Sequence, residues 1–127
     1  MTISIEFEGI EEFRRNCQEA AKELDAGLYS AVKEAAEAGA LEARTNHPYT
    51  NRTGMLEANT VALMLRQGFA NYEGEIFANR EYASYVNDGT SRSRPYPFMP
   101  QAEAKARQVF DFITGSTVAR VLAILNR

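Results

Sequence analysis

From Ile10 to Glu42 the chain keeps a single period. Ile10, Phe13, Cys17, Ala20/Ala21, Leu24, Leu28, Ala31/Val32, Ala35, Ala38 and Glu42 recur at spacings of three and four, with charged residues between them. That spacing puts one row of side chains on one face of an α-helix. A helix of about 35 residues would be about 50 Å long, so any core has to form along it. Two readings stay open: one long helix, or two meeting near Asp25-Ala26-Gly27, where Asp25 would cap the second. The stripe is rich in alanine, and small side chains let another element approach closely. A sheet is therefore expected to lie across it.

Elsewhere the period is two. Thr2-Ile3-Ser4-Ile5-Glu6-Phe7-Glu8 alternates strictly and stops at Gly9, which predicts a half-buried N-terminal strand. Thr60 to Arg66 reads as a second strand, with Val61, Leu63 and Leu65 on one face and Ala62 and Met64 on the other. Gly68-Phe69-Ala70-Asn71 turns the chain, and Tyr72 to Ala78 runs back to close a hairpin.

A last helix is expected from Phe98 or Met99, since Pro100 is tolerated in a first turn. Phe98, Ala102, Ala106, Val109/Phe110, Ile113, Thr117, Val121 and Ile124 keep helical spacing through Gly115. After Thr117 a second stripe of Val118, Leu122 and Leu125 points to either a closely packed core helix or a subunit contact.

The predicted fold class is α+β. A small antiparallel sheet, made of the N-terminal strand plus the hairpin, packs against a long N-terminal helix, a short helix and a C-terminal helix. At 127 residues, 1–127 is expected to be a single domain, large enough to fold without disulfides or metals. Neither terminus shows an apolar run long enough to span or translocate a membrane, so a soluble, intracellularly assembled protein with no membrane partner is expected. Cys17 stands alone on the helical stripe and reads as a small core hydrophobe. Charge is uneven: residues 1–42 carry ten acids against four bases, and residues 43–127 carry ten bases against seven acids. Such polarity would suit head-to-tail packing of identical subunits.

Catalytic chemistry finds little to work with. His47 is the only histidine, which rules out a histidine pair for a metal. The acid pairs Glu11-Glu12, Glu34/Glu37 and Glu73/Glu75 sit at spacings typical of solvated faces, and no hydroxyl has a base beside it in sequence. No phosphate-cradling glycine loop is present. No enzyme, cofactor or metal is expected.

The remaining signal lies between residues 80 and 102. Tyr82-Ala83-Ser84-Tyr85-Val86-Asn87-Asp88-Gly89-Thr90 reads as a short amphipathic helix, with Tyr82, Tyr85 and Val86 on one face, capped by Gly89. A polar loop stiffened by Pro95 and Pro97 follows, and Phe98-Met99-Pro100 opens the last helix. Arg80, Arg92 and Arg94 with Tyr82, Tyr85 and Tyr96 form the basic and aromatic grouping of the chain. A small DNA-binding or DNA-processing factor could use such a patch, but a pI near 5.2 weakens capture of nucleic acid, and arginine and tyrosine are also the residues of protein interfaces.

Four features in order resemble the tail-completion, or head-to-tail joining, family of long-tailed bacteriophages. They are the strand and glycine leading into a long helix from Ile5 to Phe13, Thr53-Gly54-Met55-Leu56 before a hairpin, the Tyr82 to Thr90 element, and Pro97-Phe98-Met99-Pro100. Asn87-Asp88 stands where many relatives carry Glu and an aromatic or aliphatic residue, and Gln101 where a second proline is common. The resemblance implies a structural virion protein, assembled in the bacterial host cytoplasm. It would form a ring, sixfold like the tail, in the neck or at the head-proximal tail end around the DNA channel. Its partners would be copies of itself and other neck, connector or tail-tube proteins. In that reading Arg44, Tyr49, Arg52, Thr90, Arg92, Arg94 and Tyr96 are interface candidates on two loops. Tyr82, Tyr85, Gly89, Thr90, Pro97 and Phe98 shape the motif, with Phe98 anchoring the loop's return to the core.

Overall fold

The computed structural model describes residues 1–45, 60–78, 87–89 and 98–127. Helix α1 spans Ile10–Thr45 and runs unbroken through Asp25-Ala26-Gly27, so the single-helix reading holds. Glu11 and Glu12 in its first turn and Arg44 in its last complement the helix dipole. Strands β1 (Thr60–Gly68) and β2 (Asn71–Ala78) pair antiparallel, from Thr60 opposite Ala78 to Gly68 opposite Asn71. Leu65 is an extra residue between Met64 and Arg66, a bulge that bends β1. Helix α2 spans Met99–Leu125 and continues through Gly115. The architecture is α+β, with a two-stranded sheet and two long helices.

Two expected elements are not found. Thr2 to Glu8 forms no strand, and every residue of that segment is exposed. The reason is geometric. The segment joins α1 at its first turn, whereas the hairpin packs farther along the helix, from Asp25 at its tip to Arg44 at its open end. Some 20 Å of helix separates the two at 1.5 Å per residue. The short helix is also not found among the described residues: Asn87 and Asp88 have helical backbone, and Tyr82 to Val86 lie outside the description.

Both remaining elements lie on α1. Helix α2 runs antiparallel to it, with Gly39 against Ala102 and Ala106, Gly27 against Thr117, and ion pairs Arg120–Glu23 at 2.6 Å and Arg127–Glu19 at 2.7 Å. The hairpin packs alongside through Ile76 on Gly39, Gly74 on Val32 and Ala36, and Tyr72 edge-on to Tyr29. Side-chain packing on α2 comes from β2, so β1 forms the outer edge of the layer.

The core is built from small residues. Ala20, Ala31, Ala35, Ala36, Ala40 and Ala43 are buried, while Phe98 and Ile124 are the large apolar side chains buried among the described residues. The buried face of α1 is turned from the expected stripe toward Gly27, Gly39, Ala40 and Ala43. Cys17 is half-buried, not a core residue. Ile10 and Phe13 are exposed because α2 ends beside the second and third turns of α1 and leaves the first uncovered.

Candidate assembly surfaces

Among the described residues, the side chain of Asn87 ties the end of the Tyr82 to Thr90 element to the last helix. Helix α2 begins after Phe98, which supplies no side-chain cap, and Pro100 in the first turn has no N–H to satisfy. The orphan amides of Phe98 and Met99 instead donate to Asn87 Oδ1, at 3.0 and 3.1 Å. Asn87 Nδ2 in turn donates to the Asp88 carboxylate at 2.8 Å. Gly89 then takes φ +80°, a left-handed conformation that a Cβ disfavours. Phe98 is fully buried, packed with Ala43 and Ala102 beneath Ile76, Ala78 and Met99.

Arg44 works within its own subunit: its guanidinium donates to the Thr60 carbonyl at 2.7 Å, tying the end of α1 to the start of β1. Asp25 has an equivalent role at the other end of the hairpin. Its carboxylate accepts from the Tyr72 hydroxyl at 2.6 Å and from the Ala70 amide at 2.7 Å. Those bonds hold the Asp25 carboxyl below its ordinary value, the Tyr72 hydroxyl contributing most, and the same bond raises the Tyr72 phenol. Ala70 takes φ +51° in the turn and is fixed there by this contact. Asp25 is thus a tertiary anchor inside a continuous helix, not a cap.

Large apolar side chains face outward instead. On α2, Phe112, Gly115, Val118/Ala119 and Leu122 recur at three and four opposite the buried row of Ala102, Thr117 and Ile124; Phe112 is 79 % exposed. The helix is apolar along much of its length yet largely exposed, and its buried residues are Ala102, Thr117 and Ile124. By length and composition α2 is long and apolar enough to cross a membrane, which corrects the expectation that neither terminus carries such a run; Asp111 and Arg120 interrupt its apolar sequence. Its inner flank, however, lies along α1 and pairs Arg120 and Arg127 with Glu23 and Glu19. The outer face of the sheet adds Leu63, Leu65 and Phe77 to the exposed set.

The chain matches the family model "Bacteriophage HK97-gp10, putative tail-component" over residues 11–89. It belongs to the HK97-gp10-like family. No curated protein and no solved structure matches it. Membership makes it a phage tail component and a virion-associated structural protein, whose partners are other phage structural proteins. The family match takes in α1, the hairpin and the element ending at Gly89; residues 1–10 and α2 lie beyond it.

The other sequence candidates divide simply. Tyr49, Arg52, Tyr82, Tyr85, Thr90, Arg92, Arg94, Tyr96 and Pro97 lie outside the described residues, as do His47 and Arg80. No group of three metal-binding side chains occurs among the described residues. The acid pairs are drawn into local contacts: Glu11 pairs with Arg14 at 2.8 Å, Glu34 accepts from Ser30, and Glu73 faces Arg66 at 3.6 Å across the hairpin. The charge asymmetry of the sequence is met partly inside the subunit, through the two ion pairs between α1 and α2. Sequence reasoning missed Asn87, Asp25 and Gly27 as contact residues, although a helical glycine within an alanine-rich stripe is a signal of close approach.

Proposed function

We propose that this HK97-gp10-like protein is a tail-completion or head-to-tail joining component that closes into a ring, sixfold like the tail, around the DNA channel at the neck or the head-proximal tail end. The observation that carries this reading is the outward apolar row of α2. An exposed side chain of the size of Leu122 or Phe112 gains about 1.5–3 kcal/mol when fully buried, so the row is a standing drive for association. The family match supplies the setting, a phage tail, and the resemblance of Tyr82 to Thr90 and Pro97 to Pro100 supports the reading of a neck or tail-end position. Ring contacts are heterologous, and they need two different surfaces on each subunit. The α2 row and the sheet side of the molecule are two such surfaces. The role is mechanical, not catalytic.

Native mass spectrometry of the purified chain across a concentration series tests this. A discrete closed oligomer, sixfold or a multiple of it, is the expected result. A monomer at every concentration, together with normally joined particles from a phage lacking the gene, would overturn the reading.

A further inference from the structure

Between β2 and α2 lies an open apolar groove of about 460 Å³. Val32, Ala35 and Ala36 of α1 form its floor, Gly74 and Ile76 one wall, and Ala106 and Phe110 the other, while Tyr72, Glu73, Glu103 and Arg107 add polar groups to the lining. It exists because β2 and α2 touch where Gly39 meets Ile76 and Ala106 and diverge toward the hairpin tip. One wall is a strand whose far edge is unpaired among the described residues. An apolar trough beside an open strand edge accepts another strand, through its backbone on one side and its alternate side chains below.

The same chain carries a segment of strand-like alternation that has no sheet to join. Ile3, Ile5 and Phe7 fall on one side of the Thr2 to Glu8 segment and are 81 %, 75 % and 77 % exposed, with Ser4, Glu6 and Glu8 on the other side. An apolar row facing down and a polar row facing up is the pattern such a groove would select. The segment cannot reach its own groove. Along α1, Ile10 and Val32 are about 33 Å apart at 1.5 Å per residue, whereas the stretch from Ile3 to Gly9 spans at most about 21 Å fully extended.

We propose that residues 2–8 of one subunit dock as an added strand beside β2 of a second copy, with Ile3, Ile5 and Phe7 in the groove over Val32 and Ala36. The inference rests on the self-association proposed above and specifies its joint. Each subunit gives an arm and receives one, a heterologous contact of the kind that closes a ring.

Mixing tests it. In a Cys17→Ser background, chains carrying Ile3→Cys, Ile5→Cys or Phe7→Cys are each mixed with chains carrying Ala106→Cys and oxidised at concentrations where native mass spectrometry finds the oligomer. At least one mixture should give a covalent heterodimer, absent when Ile10→Cys replaces the arm cysteine. Ile5→Asp should weaken assembly at least tenfold while leaving the melting temperature of the monomer unchanged, because Ile5 is 75 % exposed in its own subunit. An intact oligomer with no heterodimer from any arm position, and with full tolerance of Ile5→Asp, overturns the arm and leaves the ring standing. A monomer at every concentration overturns the arm contact, and together with normally joined particles from a phage lacking the gene it overturns the ring as well.

Discussion

Asn87 caps a helix that starts twelve positions later: its Oδ1 lies 3.0 Å from the amide of Phe98 and 3.1 Å from that of Met99. The bond joins the end of one motif to the start of the next across the residues between them. It also sets where Phe98 enters the core. Removing a side-chain cap costs about 1 kcal/mol. Asn87→Ala should therefore lower the melting temperature by roughly 4 °C. Asn87→Asp keeps the acceptor and adds a negative charge at the helix N-terminus, but it replaces the amide that donates to Asp88 with a second carboxylate, so it should recover only part of the loss. Thermal denaturation of both variants followed by circular dichroism would decide; equal losses would mean that the acceptor oxygen is not what matters.

Two helical glycines should respond oppositely to the same substitution. A methyl group on Gly27 would fall 2.8 Å from Cβ of the fully buried Thr117, whereas one on Gly115 meets nothing within 4 Å. Thr117 has little room to move, since its hydroxyl is bonded to the Ile113 carbonyl at 2.8 Å. Gly27→Ala should thus force the helices apart and cost about 2 kcal/mol, the range for overpacking a close contact. Gly115→Ala should stabilise by about 0.5–1 kcal/mol through helix propensity alone. Denaturant titrations of the two variants give the signs directly, and a stable Gly27→Ala protein would show that the helix contact is looser than described.

These glycines also show what sequence could and could not reveal. Periodicity located both long helices and the hairpin, because each needs its own repeat to bury a face. The rotation of α1 was not legible from the same pattern. Alanine and glycine score weakly as apolar, so Leu28 outweighed Gly27 and Ala38 outweighed Gly39, although close packing against α2 selects the smaller residue of each pair. The alternation of Thr2 to Glu8 was legible as strand chemistry but not as a place in this subunit's sheet, since period says nothing about reach. Asn87 and Asp25 act over sequence separations of 11 and 47, and no local pattern records such bonds.

The contact between Asp25 and Tyr72 gives the hairpin a pH dependence at both ends. The Asp25 carboxyl is held below its ordinary 3.8, first by the Tyr72 hydroxyl and then by the Ala70 amide. A carboxyl with a lowered folded value contributes its stability above the unfolded value and loses it as pH falls through the folded one. Tyr72 is raised above its ordinary 10.0 by the same bond, so its contribution is present below 10 and is lost as pH rises through the raised value. Stability of hairpin docking should be flat from about pH 5 to 9 and fall at either end. Tyr72→Phe should abolish the alkaline fall and shrink the acid one, leaving the part due to Ala70. Amide exchange at Ala70, measured by nuclear magnetic resonance across this range, reads the hairpin tip alone; an unchanged acid fall in Tyr72→Phe would assign it to another carboxylate.

Leu122 and Thr117 lie on the same helix, and substitutions at each should separate assembly from folding. Leu122 is 52 % exposed and Thr117 is fully buried against Gly27. A charge placed at Leu122 meets water in the monomer, so Leu122→Asp should change monomer stability by less than about 0.5 kcal/mol. In an assembled ring that face is covered. An unpaired carboxylate there costs several kcal/mol, so the oligomer should dissociate at concentrations where the unaltered chain is fully assembled. Thr117→Val should do the reverse: it removes the hydroxyl that bonds Ile113 and Arg120, lowering stability while leaving the outer face and its association intact. Native mass spectrometry and denaturant titration on the same two proteins give both quantities. Undiminished assembly of Leu122→Asp would remove the α2 row from the contact and leave the groove side to account for self-association.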